Sequence, residues 1–500
     1  MKAPVSHYLL DAFLSREIDQ RTQDELGIDS FTLMEIAGSS AAKILLDNEK
    51  GFTHGLFLCG KGNNAGDALV VARYLAQHQI KVTIVFLSGI HELSAEAQKN
   101  FNLLREFTSG NLTVFENWKE FSSNAGFDFI MDGMLGTGLK NDLRGDYFKV
   151  VEWANSQKVP VFSMDIPTGL HVDTGQIMGT AMRAERTFAF GSLKLGFYLE
   201  SGPHITGTVT YCELPFPNEF KSSCSTFLLD ESWVSNEPPT PGEHKYESGV
   251  LHIIAGSEGL TGAAVMATKS AWAEGLGAVI LICPKGVLSV YENLLPFVIK
   301  KPVGSKEDNY FKKEHLRDVL KIVQQKEGKV LLGPGLGRND STVQFVSKFL
   351  SQNKRDTVID ADGLWCLSQL SNWEKPKSSN WILTPHPGEL ARLTGSKTVN
   401  GDHRLRTVRE LSSDHQITVL SKGMPGIIGT TSGKCYLTGY DTRYFARAGS
   451  GDVLAGKVGA YLAFGRSPEL SCAQALLNGK QKLDHFLKQK RGIPEPNDFI

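Results

Sequence analysis

Short, almost wholly apolar runs alternate along this chain with longer stretches in which apolar residues recur at helical spacing. After an amphipathic opening stretch, MKAPVSHYLLDAFLSREIDQ, the runs at 55–59, 81–87, 112–115, 127–131, 159–164 and 207–214 read as strands. Residues 68–78, 94–107 and 147–157 between them carry the pattern of helices. The alternation resumes at 250–255 and continues through 279–283, 329–332, the runs opening at Thr357 and Trp381, and 417–421. A β-hairpin and a helix after Asp452 follow. Strands alternating with helices predict an α/β protein built on parallel, doubly wound sheets. Ligands in such sheets sit beyond the C-terminal ends of the strands.

Between the two series lie Pro215-Phe-Pro217, a Ser/Cys stretch and Glu237-Pro-Pro-Thr-Pro-Gly242. Clusters of this kind mark linkers. The boundary is placed near 218–226, giving domains of 1–220 and 221–500, and 500 residues are too many for one ordinary core. Composition changes the picture little: 41% hydrophobic and 21% charged residues are ordinary for a globular protein. A net charge of −1 with no dense basic run argues against nucleic acid or an anionic membrane as the main partner. Seven scattered cysteines without a C-x-x-C pair fit a reducing, cytoplasmic setting better than a disulfide framework or a zinc site. The opening stretch is not a signal peptide, and no apolar run is long enough to span a bilayer.

The chemistry-bearing residues gather at strand ends. In the first half Asp67, Asp132 and Asp165 each close a strand, accompanied by Asn63, Asn64 and Thr168. Singly they read as an N-cap, a turn former and a helix-starting Asp before Pro; together they point to a site, and oxygen donors without thiolate or imidazole suit a hard cation. In the second half the loops Gly333-Pro-Gly-Leu-Gly337, Asp360-Ala-Asp362, Thr384-Pro-His386-Pro-Gly-Glu389 and Lys422-Gly-Met-Pro-Gly426 lie on one edge. Arg447-Ala-Gly-Ser-Gly-Asp452 completes it, a Gly-rich turn feeding a helix whose free N–H groups favour an anion. An aspartate there could accept a substrate proton, and a Ser N-cap on an ordinary core helix is the plain alternative. Residues 451–457 start like a Walker loop, but Val458 stands where Ser or Thr is needed.

The first-half motifs, together with Gly191-Ser-Leu-Lys194-Leu-Gly196, resemble the NAD(P)H-hydrate epimerase domain, which is Rossmann-like and rebalances the R and S hydrates of NADH or NADPH. The resemblance implies that Asn63, Asn64, Ala65, Gly66 and Asp67 bind the hydrated nucleotide with Gly136, Thr137, Gly138, Leu139, Lys140, Asn141 and Asp142. It implies a potassium ion on Asn64, Asp132 and Thr168, and Asp165 facing the reactive ring, with Lys194 as a second acid/base group. Glycine is usual in that family where this chain has Ala65 and Ala68; a left-handed backbone at position 65 would strain alanine.

The second half resembles the ribokinase-like superfamily, and more closely its ADP- or ATP-dependent NAD(P)H-hydrate dehydratase branch, through GPGLG, DADGL, TPHPGE and AGSGDVLAG with His244-Lys245 and Gly262-Ala-Ala264. On that resemblance Gly262, Gly335, His386 and Asp452 contact the hydrated nucleotide, and Asp452 is catalytic. Lys422, Gly423, Met424, Pro425 and Gly426, with Ala448, Gly449, Ser450 and Gly451, bind ADP or ATP accompanied by magnesium. Pro425 and Gly426 depart from the usual lysine loop, and Tyr444-Phe-Ala-Arg-Ala448 from the usual small-residue approach. The fusion in this order resembles that of bifunctional NAD(P)H-hydrate repair enzymes, and the chain is expected to work as a homo-oligomer. Two rivals are a vitamin or sugar kinase with a regulatory first domain, and a nucleotide sensor whose first domain binds without catalysis.

Overall fold

A computed structural model of the chain describes residues 7–49, 51–108, 110–121, 126–233, 247–373, 380–489 and 492–500. It separates into two compact units, Met1–Phe227 and Leu228–Ile500, the division falling seven residues beyond the expected 220/221 boundary. Both the Pro-rich stretch 237–242 and His244-Lys245 lie outside the described residues.

The first unit contains strands β1 (Leu9–Leu10), β2 (His54–Cys59), β3 (Lys81–Phe86), β4 (Leu112–Phe115), β5 (Phe129–Gly133), β6 (Val161–Met164), β7 (Arg186–Phe190), β8 (Leu193–Lys194) and β9 (Thr208–Cys212). Seven form a wholly parallel sheet in the order β4-β3-β2-β5-β6-β7-β9, and β1 and β8 pair apart from it. The order reverses between β2 and β5, the crevice where doubly wound sheets take ligands. Leu56, Phe57, Leu58, Ile130 and Phe162 are fully buried, as a sheet covered on both faces requires.

Two boundaries differ from expectation in a way that matters. The helix after β2 runs Asn63–Gln77, so it starts five residues before the predicted Ala68. The Asn/Gly/Asp-rich stretch reads as loop by composition, yet Ala65 and Ala68 are buried core residues that draw it into helix. Strand β5 ends two residues later than expected, which makes Asp132 a strand residue.

The second unit adds β10 (Thr226–Leu229), which spans the division, β11 (Val250–Ile254), β12 (Ala278–Pro284), β13 (Ile299–Val303), β14 (Lys329–Leu332), β15 (Thr357–Ile359), β16 (Trp381–Leu383), β17 (Thr418–Ser421), β18 (Ile427–Gly429) and β19 (Cys435–Thr438). Their order is β10-β19-β18-β17-β16-β15-β14-β11-β12-β13. Strands β11 to β17 run parallel; β17-β18 and β18-β19 are antiparallel. The switch point lies between β11 and β14. Small residues in the helices Thr261–Ala273 and Ser450–Ala463 serve their mutual packing: a methyl on Gly456 would stand 2.3 Å from the Ala267 carbonyl. No helix of the described residues is long and apolar enough to cross a membrane.

Candidate active sites

A cleft of about 880 Å³ opens at the β2/β5 switch point of the first unit. Most of the predicted residues line it: Asn63, Asn64, Asp67, the whole of 136–142, Asp165 and Lys194. Ala65 and Gly66 do not. Ala65 is fully buried in the core, and a methyl on Gly66 would meet Met34 Sδ at 2.3 Å. Ala65 also has no positive φ, so the strain anticipated at that position does not arise. Strain sits instead at Asp165, a non-glycine residue at φ 57 directly after β6.

Its partners explain how that backbone is held. Lys194 Nζ donates to Asp165 Oδ1, to Phe190 O at 3.0 Å and to Ser192 O at 3.1 Å, and its side chain is only 3% exposed. Phe190 N also donates to Asp165 Oδ1 at 3.2 Å, while Asp165 N donates to Phe188 O at 2.9 Å. The β7–β8 turn thus grips the aspartate from both its side chain and its backbone.

Asp132, by contrast, faces inward. It is fully buried and accepts from Thr168 Oγ1 (2.7 Å), Thr168 N (2.8 Å), Ser163 Oγ (3.0 Å) and Met134 N (3.3 Å). Burial pushes its carboxyl above the ordinary range, opposed by the hydrogen bonds from Thr168. Leu135 N donates to Thr168 Oγ1 at 3.0 Å and Asn64 Nδ2 donates to Leu135 O at 3.2 Å. Asn64, Asp132 and Thr168 therefore do converge, around the start of the loop 134–142.

The cleft also takes in residues that the sequence pattern did not single out. Arg16 and Asp19, on the opening helix Ala12–Leu26, line the same cleft. Their signal was visible: Arg16, Asp19 and Gln23 share one helical face at spacings of three and four.

In the second unit the strand ends converge on a network of charged groups. Asp360, directly after β15 and 1% exposed, accepts from Thr384 Oγ1 at 2.7 Å and from Lys422 Nζ, while its buried Oδ2 has no hydrogen-bond partner among the described residues. A methyl on Gly333 would lie 1.8 Å from the Asp360 carbonyl, so β14 must leave through glycine there. Asp362 accepts from Gly337 N (3.0 Å) and Arg338 Nε (2.8 Å), tying GPGLG to DADGL. Ser257 Oγ donates to Gly335 O at 2.9 Å, and Gly335 at φ 64 approaches Leu260 too closely for a side chain, whereas Gly262 faces open space.

His386 caps the helix Pro387–Leu393: its Nδ1 accepts from Gly388 N (3.0 Å) and Glu389 N (3.3 Å). In the neutral ring the proton is then on Nε2. Burial, then Lys422, lowers its pKa. Lys422, by contrast, is raised: burial opposes its charge, but Asp360 and Glu389 outweigh it. The lysine loop is braced by Arg404 Nη1 on Lys422 O (3.0 Å), by Arg404 Nη2 on Pro425 O, and by Gly426 N on Thr438 Oγ1 (2.8 Å).

Lys422 Nζ also lies 3.3 Å from where a Gly451 Cβ would be, which sets the ammonium over the GSGD turn. That turn starts the helix Ser450–Ala463 from Gly449 at φ 93, so glycine, not serine, is the N-cap. Ser450 N is engaged by Arg447 O at 3.1 Å; Gly451 and Asp452 N–H make no backbone hydrogen bond among the described residues. Ala448 is exposed at the approach to the turn. Asp452, half-buried, has its carboxyl pushed up to about 7 by burial and by Asp360, with Lys422 opposing. Lys457, the residue of the Walker-like spacing, is buried one turn further on and pairs with Glu274.

A parallel sheet with a Rossmann-like switch point, followed by a sheet whose strand ends surround a GxGD turn, defines a two-domain α/β enzyme with a Rossmann-like and a ribokinase-like half. Residues 30–196 match the model of the YjeF-related protein N-terminus, and 251–496 match that of NAD(P)H-hydrate dehydratase. A protein of Salinibacter ruber named bifunctional NAD(P)H-hydrate repair enzyme Nnr is 33% identical over 96% of this chain and 92% of its own length. The Escherichia coli protein of that name is 29% identical over 96% and 90%. The chain belongs to the family of bifunctional NAD(P)H-hydrate repair enzymes. Among solved structures, the ADP/ATP-dependent NAD(P)H-hydrate dehydratase from Bacillus subtilis, co-crystallized with ATP and magnesium, is 23% identical over 53% of this chain and 91% of that one, with a TM-score of 0.43.

Proposed function

We propose that the first unit interconverts the R and S hydrates of NADH and NADPH, and that the second dehydrates the S hydrate using ADP or ATP. The observation that carries this reading is that a relative of that name aligns with 96% of the chain, across both units. It is favoured over a vitamin or sugar kinase, whose product would keep the phosphate.

In the second unit Asp452 takes the proton of the hydrate's C6 hydroxyl as the alkoxide oxygen attacks the terminal phosphate of the nucleotide. The N–H groups of the GSGD turn and the Lys422 ammonium receive the growing negative charge. The phosphate then leaves C6, helped by the ring nitrogen, as a proton is lost from C5, restoring the double bond. His386 Nε2–H, Gly262 and Gly335 hold the nicotinamide nucleotide, and 422–426 with 448–451 hold ADP or ATP. In the first unit Asp165 faces the ring, and Lys194 holds it in place.

No cluster of three His, Cys, Asp or Glu side chains with metal-binding geometry occurs among the described residues. The cations implied by the family therefore rest on other donors. The Asn64 amide, Thr168 hydroxyl and Leu135 carbonyl, backed by Asp132, are oxygen donors gathered at one place and fit potassium, which would order the 134–142 loop. Magnesium would arrive with the nucleotide phosphates and neutralise their charge, with the unpartnered Asp360 Oδ2 as its protein oxygen.

The test is a mixed R/S hydrate sample given ADP or ATP and followed at the reduced-nicotinamide absorbance. Complete conversion is expected; conversion that stops at the S fraction would remove the epimerase half, and a stable phosphorylated product would remove the dehydratase half.

A further inference from the structure

Interconverting the two hydrates moves a hydroxyl from one face of the ring to the other. A proton must reach the departing oxygen on one side and leave the incoming water on the other. Asp165 supplies one such group. Lys194 does not supply the second, because its three N–H bonds are already directed at Asp165, Phe190 O and Ser192 O.

We propose that Asp67 is the second catalytic residue of this cleft, the general acid that works across the ring from Asp165. The proposal rests on the epimerase reading of the first unit. Asp67 lines the cleft from the first turns of the helix Asn63–Gln77 and is half-buried. No hydrogen bond to its carboxyl occurs among the described residues, whereas Asp165 Oδ1 is held by two donors. One carboxyl is clamped and the other is free to meet a ligand.

Both carboxyls line the same cleft of about 880 Å³, Asp67 from the helix that follows β2 and Asp165 from the turn that follows β6, with β5 between those two strands in the sheet. Paired carboxyls on opposite sides of a sugar act in this way when water replaces a leaving group from the far face.

Charge favours the division of labour. The Lys194 ammonium pairs with Asp165 as carboxylate. Burial, then Asp165 and Asp19, hold Asp67 well above the ordinary range, with Lys194 opposing, which favours the protonated form that an acid needs. The other charged groups lining the cleft are Arg16, Lys61, Lys140, Asp142 and Arg144. Arg144 and Asp142 belong to the 134–144 loop, Lys61 to the β2 turn and Arg16 to the opening helix.

The step balances without any co-reactant. Asp67 gives its proton to the C6 hydroxyl as the C–O bond breaks, and the ring-nitrogen lone pair forms the C=N bond. Water departs. A water molecule then adds to the opposite face of C6, the C=N electron pair returns to nitrogen, and the proton passes to Asp165. Exchange with solvent then returns a proton to Asp67 and removes one from Asp165, which restores the starting state for the next turnover in either direction.

The experiment uses the full chain. Interconversion of pure R hydrate is followed by chromatography, corrected for spontaneous exchange; thermal unfolding reports that the first unit is folded, and dehydration of S hydrate with ADP or ATP reports the second. Asp67→Asn is expected to lower catalysed interconversion about 10²–10⁴-fold with hydrate affinity retained, and to abolish the basic limb of the pH–rate profile. Asp19→Asn removes a negative neighbour, so it lowers the pKa of Asp67 and moves the basic limb to lower pH. An Asp67→Asn chain with unchanged kcat, whether or not KM rises, would make Asp67 a binding residue and overturn the proposal. A wild-type chain that fails to interconvert the hydrates while still dehydrating the S form would overturn the epimerase reading and the proposal with it, which separates the two failures.

Discussion

Each unit sets a lysine among carboxylates at the C-terminal edge of a parallel sheet, but the two are connected differently. Lys194 bonds directly to Asp165, the carboxylate proposed to act on substrate. Lys422 bonds to Asp360, a neighbour, and leaves the Asp452 carboxyl without a hydrogen bond among the described residues. The first arrangement produces a side chain fixed in place by two donors. The second produces one that titrates near neutrality, at about 7, because burial and Asp360 act on it more strongly than the lysine does. The same residue types make an anchor or a tunable base according to which acid the lysine touches.

The largest effect should come from removing the tunable base. Asp452→Asn is expected to reduce dehydration of S hydrate by about 10²–10⁴-fold, with R/S interconversion unchanged. Appearance of reduced-nicotinamide absorbance measures the first, and chromatography of the hydrates the second. Retained dehydration would show that Asp452 is not the base, and the contrast between the units would lose its functional meaning.

Removing the anchor should act on stability as well as on rate. Lys194 is 3% exposed and Asp165 20%, so Lys194→Met leaves a largely buried carboxylate unpaired at a strained φ. The cost is expected at the low end of the usual 3–5 kcal/mol for breaking a buried pair, about 3 kcal/mol. Adding Asp165→Asn to Lys194→Met should recover part of it in thermal unfolding. Equal stability of the single and double variants would mean the pair does not hold this turn.

The pH dependence sharpens the comparison further. A carboxyl serves as base only after losing its proton, so kcat/KM for dehydration should rise with pH and level off above about 7, the value for Asp452. Asp360 raises that value, so Asp360→Asn should move the rise to lower pH, while the epimerase profile stays where it was. A profile unmoved by Asp360→Asn would show that the two acids do not communicate.

Much of this was legible in the residue pattern, for a physical reason. Near-continuous apolar runs ending in Asp, Gly or Pro mark buried parallel strands, and ligand groups must lie at their C-terminal ends; Asp132, Asp165, Asp360, His386 and Lys422 were all located in this way. Pairings between distant strand ends left no local trace. Nothing around Lys422 announces Asp360, sixty-two positions away, or around Lys457 its partner Glu274. Asp19 was missed because an acid on the polar face of an amphipathic helix looks solvated until the helix is seen against a cleft. The start at Asn63 was missed because the local composition favours a loop, and burial of Ala65 and Ala68 prevails.

The smallest effect tests that last point. The two site helices begin differently: Ser450–Ala463 needs the left-handed Gly449, whereas Asn63–Gln77 follows Gly62 in an extended conformation and has Ala65 at an ordinary helical φ. Alanine is therefore the better residue at position 65, where glycine would lose a buried methyl and add backbone freedom. Ala65→Gly should lower the stability of the first unit by about 1–2 kcal/mol in thermal unfolding and leave interconversion of the hydrates at its wild-type rate. Faster interconversion in that variant would mean that the first turn of this helix must open for the substrate, and that the first unit, like the second, depends on a glycine-permitted backbone.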